Sequence, residues 1–217
     1  MKHLLKGFFW AYRPLWFSML FCALLITGRV IYTGEITFVF LVWNLFLAFL
    51  PFVFSWRLKL ERPGLLNLGK LLLCLLFLPN APYILTDLFH LRTQTYNLIW
   101  FDTLLIANFA WCGLLFYFFS LRHLQKFMQP LFSKNFIAGA LILLSMLNGF
   151  GIYIGRYLRF NSWDILTQPF ALAREMAALI LQPWVHPQAW GITVLYGIFL
   201  YLGYWQFSSI KKLPAGY

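Results

Sequence analysis

Six mostly apolar stretches recur along the chain, at 14–32, 37–55, 65–85, 99–119, 136–157 and 190–208. Each is close to the roughly 20 residues that an α-helix needs to cross a bilayer. Within each, the apolar run is continuous and lacks the two-residue alternation of a barrel strand. The pattern predicts an all-α, polytopic membrane helix bundle, one domain over residues 1–217 with six transmembrane helices. A further stretch from Phe170 to Leu181 sets Arg174 and Glu175 against apolar neighbours, between Pro169 and the prolines Pro183 and Pro187. It predicts a short amphipathic helix lying on the outer surface. The first apolar run follows Lys2, Lys6 and Arg13, as a signal peptide would, but it is long and lacks a small-x-small cleavage site. It is expected to remain as the first helix.

Composition makes the solvent explicit. Only 11% of residues are charged and 62% are hydrophobic, against the roughly 25% charge of a soluble domain. Polar side chains cannot cover such a surface, so lipid must. The net charge of +11 would suggest nucleic acid in a soluble protein. Here the basic residues sit between apolar runs, where they set topology and meet anionic headgroups, and nucleic acid is not an expected partner. With the N-terminus inside, 12 of the 17 basic residues fall on the cytoplasmic side: Lys2, Lys6, Arg13, Arg57, Lys59, Arg62, Lys70, Arg122, Lys126, Lys134, Lys211 and Lys212. The other five are Arg29, Arg92, Arg156, Arg159 and Arg174. This asymmetry places both termini in the cytoplasm. Three of those five arginines crowd the last outer segment, where topology gives them no purpose. Cys22, Cys74 and Cys112 lie inside apolar runs without a C-x-x-C and read as packing residues.

Candidate chemistry gathers at the outer ends of the spans. The third span closes in Pro79-Asn80-Ala81-Pro82-Tyr83. Pro79 cannot donate to the carbonyl of Leu75, nor Pro82 to that of Leu78, and in hydrocarbon such carbonyls need another partner. Broken helices of this kind line sites in transporters. Thr86, Asp87 and His90 follow, and Asp87 and His90 share a helical face, as an acid/base pair or two metal ligands would. The chain's four histidines are scattered, so no metal site assembles, and no cofactor is assigned. Asp102 opens the fourth span, either as its N-cap or first-turn acid or as the partner of an arginine from the last outer segment. Asn44, Asn108 and Asn148 lie inside spans, where such residues hydrogen-bond between helices. The fifth span carries Gly151-x-x-x-Gly155, which admits a close neighbour, and runs into Arg156, Arg159, Asn161 and Asp164. Charges at this depth are paired or functional. Asp87, His90, Asp102, Arg156, Arg159 and Asp164 are expected to form one cluster.

The runs Trp43-Asn44-Leu45-Phe46-Leu47-Ala48, Pro79 to Leu91, Trp100-Phe101-Asp102 and Gly155 to Asp164 together resemble a bacterial family of integral membrane proteins known as domain of unknown function 1361. The resemblance covers residues 35 to 208 and implies a bacterial cytoplasmic membrane, without an activity or functional residues. Three functional readings stand. The first is a binding or transport protein for an anionic or lipid-linked ligand, such as an anionic lipid or a cell-envelope precursor. Arg156 and Arg159 would hold the anion, with Asn80, Tyr83, Asn161 and Asp164 around it. The second is an intramembrane enzyme acting on a lipid-linked substrate through Asp87, His90 and Asp102. The third is an accessory subunit whose polar residues are structural.

Reporter fusions test the topology. Fusions at 94 and 165 are expected to report the outer side, and fusions at 60, 128 and 217 the cytoplasm; an external C-terminus would overturn the assignment.

Overall fold

The computed structural model describes residues 9–56, 58, 64–93 and 98–210, without the side chains of His90, Arg92 and Thr93. Lys2, Lys6, Arg57, Lys59, Arg62, Lys211 and Lys212 lie outside the described residues. Every regular element among the described residues is helical. In chain order these are α1 (Arg13–Thr33), α2 (Phe40–Trp56), α3 (Leu65–Phe77), α4 (Asn80–Tyr83), a 3-10 helix (Ile84–Thr93), α5 (Ile99–Met128), α6 (Lys134–Tyr157), α7 (Asp164–Thr167), α8 (Pro169–Leu181) and α9 (Pro187–Ile210).

Four segments are long and apolar enough to cross a membrane: α1, the run Leu65–Phe89, α5 and α6. α2 is mostly apolar but has 17 residues, short of a full crossing. α9 is long enough at 24 residues, but Tyr, Trp, Gln and Ser dilute its hydropathy. Phe17, Leu24, Ile31, Leu66 and Leu195 are all largely exposed, and a surface so apolar suits lipid rather than water.

Most apolar runs become helices close to their expected bounds, because an apolar segment in lipid must close its own hydrogen bonds. α5 is the exception. It continues well beyond the expected residue 119 to Met128, because the apolar run stops before any helix-breaking residue does; Pro130 supplies the stop. α5 is also the axis of the bundle. Of its most apolar stretch 67% is buried, against 28% for α1. Leu105, Ile106, Phe109, Phe116, Tyr117 and Leu121 are enclosed, and α1, α2, α4 and the 3-10 helix pack around them. α6 and α9 pair alongside. α8 docks on that pair through the buried Leu179, whose carbonyl accepts from Trp190 Nε1 at 3.1 Å.

Polar ties fix which helix ends lie together. At one end the Tyr12 hydroxyl meets His123 Nε2 at 2.8 Å, and His123 Nδ1 meets Ser55 Oγ at 3.1 Å. Ser55 spends its proton on the Phe52 carbonyl, so Nδ1 carries the imidazole hydrogen and Nε2 accepts. The chain thereby ties the start of α1 to the ends of α2 and α5. Tyr204, near the end of α9, donates to Gln125 at the same end. At the other end Arg29 grips Asp102 with two bonds, Nε to Oδ1 at 2.7 Å and Nη2 to Oδ2 at 3.3 Å. Its guanidinium also lies 4.5 Å from the centre of the Phe38 ring. Both charges are almost fully buried, Arg29 at 3% and Asp102 at 1% exposure.

Removing one partner strands the other charge. Asp102→Ala is therefore expected to lower stability in detergent by about 3–5 kcal/mol, read from thermal or denaturant unfolding. The paired replacement Arg29→Leu with Asp102→Leu should recover most of that loss.

Candidate functional site

The prolines interrupt the helix that begins at Leu65. α3 ends at Phe77, α4 adds one turn from Asn80, and the chain tightens into the 3-10 helix at Ile84. The break differs in detail from what the missing proline donors dictate. Leu78, deprived of the Pro82 amide, accepts from Ala81 N at 3.3 Å instead. That shift diverts the amide that would have reached Phe77. Asn80 Nδ2 fills the gap, donating to the Phe77 carbonyl at 3.1 Å. The same Nδ2 donates to Ser162 Oγ at 2.8 Å, and Ser162 Oγ donates onward to the Leu76 carbonyl at 3.3 Å. A segment beyond α6 thus repairs the backbone of α3.

Close packing on both sides holds the broken turn. A Cβ on Gly113 of α5 would collide with the Ala81 carbonyl. A Cβ on Gly151 of α6 would come within 2.8 Å of Pro79, and one on Gly155 within 3.0 Å of the Tyr83 ring. The Gly151-x-x-x-Gly155 spacing receives the proline turn as its partner, which is how small residues let helices approach.

The 3-10 helix carries Asp87 to the centre of a polar group. Asp87 Oδ2 accepts from Asn44 Nδ2 of α2 at 2.9 Å, and Oδ1 from Arg156 Nη1 of α6 at 3.2 Å. Arg156 Nη2 donates to the Thr86 carbonyl at 2.9 Å. Its guanidinium also lies 5.9 Å from the Tyr83 ring and 5.7 Å from that of Phe89. Asp87 is 1% exposed, so its charge persists only because these donors replace water. The group lines a cavity of about 580 Å³. Asn80, Tyr83, Asn161 and Ser162 add polar lining, and Trp43, Leu47, Leu147, Phe150, Leu172 and Met176 supply much of the apolar wall. The volume lies within the range of small-molecule sites.

The six residues expected in one cluster divide. Asp87 and Arg156 meet. Asp102 pairs with Arg29 of α1 rather than with an arginine beyond α6. Asp164 is used locally: Asn161 N donates to its Oδ2 at 2.7 Å and Thr167 Oγ1 to its Oδ1 at 2.8 Å. Those bonds, the Asn161 amide first, hold its carboxyl below the usual carboxylate range. Arg159 is exposed and has a positive φ of 61°, a conformation that ends α6 and turns the chain back. The Phe160 amide then reaches the Ile154 carbonyl at 3.3 Å. The side chain of His90 lies outside the described residues. Asn44 and Ser162 are cavity residues that the sequence did not single out as such, since a lone Asn within a span reads as packing. Asn108 does join helices, donating to Cys22 Sγ at 3.0 Å, whereas Asn148 bonds back to Leu144 of its own helix.

The two arginines are expected to behave oppositely. Arg156→Ala strands the buried Asp87 carboxylate and should cost about 3–5 kcal/mol in unfolding experiments. Arg159→Gly relieves a left-handed backbone and should leave stability unchanged or raise it by about 1 kcal/mol.

Among curated protein sequences and among solved structures, nothing matches this chain. One family model does, described as Protein of unknown function (DUF1361), over residues 43–202. The matched segment contains Asn44, Asn80, Asp87, Arg156 and Ser162, and it leaves out α1 with Arg29. With well over half of its 217 residues matched, the chain belongs to the DUF1361 family.

Proposed function

We propose that the protein is a membrane-embedded binding protein for a lipid-linked amphiphile, held in the cavity between α2, the broken α3–α4 segment, α6 and α8. The observation that carries this reading is one cavity of about 580 Å³ lined both by apolar side chains and by the bonded polar group of Asp87, Arg156 and Asn44. A purely structural ion pair needs no such space beside it. A catalytic Asp87 would need a carboxylate ready to take a proton, and here two donors already occupy it. Holding a guest is the simpler use of the arrangement.

The frame for this function is a six-span bundle with both termini in the cytoplasm of a bacterial cell. α2 and α9 complete the six, α2 needing only local thinning of the bilayer to reach both faces. The basic asymmetry supports the orientation. In that frame the cavity opens towards the outer leaflet, and α8 lies at the interface with Phe170 and Leu181 exposed to lipid. The head of the ligand would meet Asp87 and its partners while the chain lies along Trp43, Leu147 and Phe150.

A blocking variant tests the proposal. Leu147 lines the cavity from α6 and is 52% exposed, so the helix can accept a larger side chain there. Leu147→Trp is expected to fold normally by circular dichroism and thermal unfolding. It should lose the lipid that co-purifies with the wild-type chain, counted by native mass spectrometry. Equal lipid retention by a folded variant would overturn the reading.

A further inference from the structure

We infer that the head of the bound amphiphile is uncharged and rich in hydroxyl groups, as a glycosyl head is. The inference rests on the binding function proposed above and adds the class of ligand. It comes from counting donors, acceptors and charges at the polar end of the cavity.

Charge comes first. Arg156 is the cation that would attract a phosphate or carboxylate, but its fork already holds the Asp87 carboxylate and the Thr86 carbonyl. An anionic head would compete with a carboxylate that is itself buried and part of the cavity wall. A cationic head would approach Asp87 only beside Arg156. Like charges brought together in a desolvated site are costly, so both kinds of ion are disfavoured. A neutral head leaves the pair intact.

Hydrogen-bond polarity narrows the choice. The orientation of both lining amides is set by their partners. Asn44 must present Nδ2 to a carboxylate, which only accepts, and Asn80 must present Nδ2 to the Phe77 carbonyl. Asn80 Nδ2 therefore spends both of its hydrogens and Asn44 Nδ2 one of its two, and each Oδ1 has no partner among the described residues. The two amide oxygens are left as acceptors facing the guest. A guest that satisfies them must bring donors. Phosphate and carboxylate oxygens bring none, whereas the hydroxyls of a sugar bring several and accept in return.

The walls agree. Trp43 and Tyr83 line the same cavity. Trp43 packs against Trp163 with ring centres 6.4 Å apart, and the Arg156 guanidinium lies beside the Tyr83 ring. Aromatic faces carry negative charge density and accept the weakly positive C–H face of a sugar ring. The apolar wall accounts for an attached chain, which is why a lipid-linked sugar fits better than a free one.

Native mass spectrometry of the delipidated full-length chain in detergent, with lipids of matched acyl chains, tests the inference. Monoglucosyl diacylglycerol is expected to bind about tenfold more tightly than phosphatidic acid or phosphatidylethanolamine, the effect of one or two additional net hydrogen bonds. Asn80→Leu should reduce that preference several-fold. If the variant does not fold, the comparison among lipids on the wild-type chain decides the matter alone. Tighter or equal binding of phosphatidic acid or phosphatidylethanolamine, still abolished by Leu147→Trp, overturns the glycosyl head and leaves the binding function standing. Binding of every lipid that is indifferent to Leu147→Trp overturns the binding function itself. Displacement of the glucosyl lipid by equimolar free glucose would overturn the lipid-linked source.

Discussion

Everything at the candidate site depends on one constraint: backbone carbonyls shut away from water must find donors. Pro79 and Pro82 remove two amide donors from a single turn. The repair that follows shapes the site. Ala81 shifts to Leu78, Asn80 turns back to Phe77, and Ser162 is drawn across to Leu76. The shortened, tightened chain then runs into a 3-10 helix, which brings Asp87 between α2 and α6 rather than along a continuing α-helix. Without the break Asp87 would not meet Asn44 and Arg156 in this way. Without Gly113, Gly151 and Gly155 the broken turn could not sit close enough to its neighbours for the repair to reach it.

The sequence carried the elements more clearly than the partners. Apolar runs marked most helix bounds closely, because lipid leaves an apolar segment little choice but to coil. The end of α5 escaped because hydropathy reports where lipid ends, not where the helix does. The proline break was legible, yet the carbonyls served by side chains are those of Leu76 and Phe77 rather than Leu75 and Leu78. One amide moving to a nearer acceptor reassigns its neighbours, and a rule applied residue by residue cannot follow that.

Charged partners were legible only in part, for a related reason. Asp87 and Arg156 stood out by chemistry and by side. Asp102 found Arg29, which a count of topological charges treats as background rather than as a partner. Asp164 was absorbed within six residues by Asn161 and Thr167, a local turn that outcompetes any distant arginine. Arg159 serves as the left-handed turn that ends α6 and stays exposed. A list of charges on one side of a membrane gives candidates, and short-range geometry chooses among them.

The Arg29–Asp102 pair bears on how the chain is made. The two residues are 73 positions apart, and α1 is synthesised before α5. Until α5 is synthesised, α1 holds a guanidinium without the carboxylate that neutralises it in the finished bundle. Four further helical segments, α2, α3, α4 and the 3-10 helix, emerge in that interval and must leave the flank of α1 open. The last step of burying Arg29 is thus a docking event between an early helix and a late one. The order of synthesis, as much as the final contacts, decides when α1 joins the bundle.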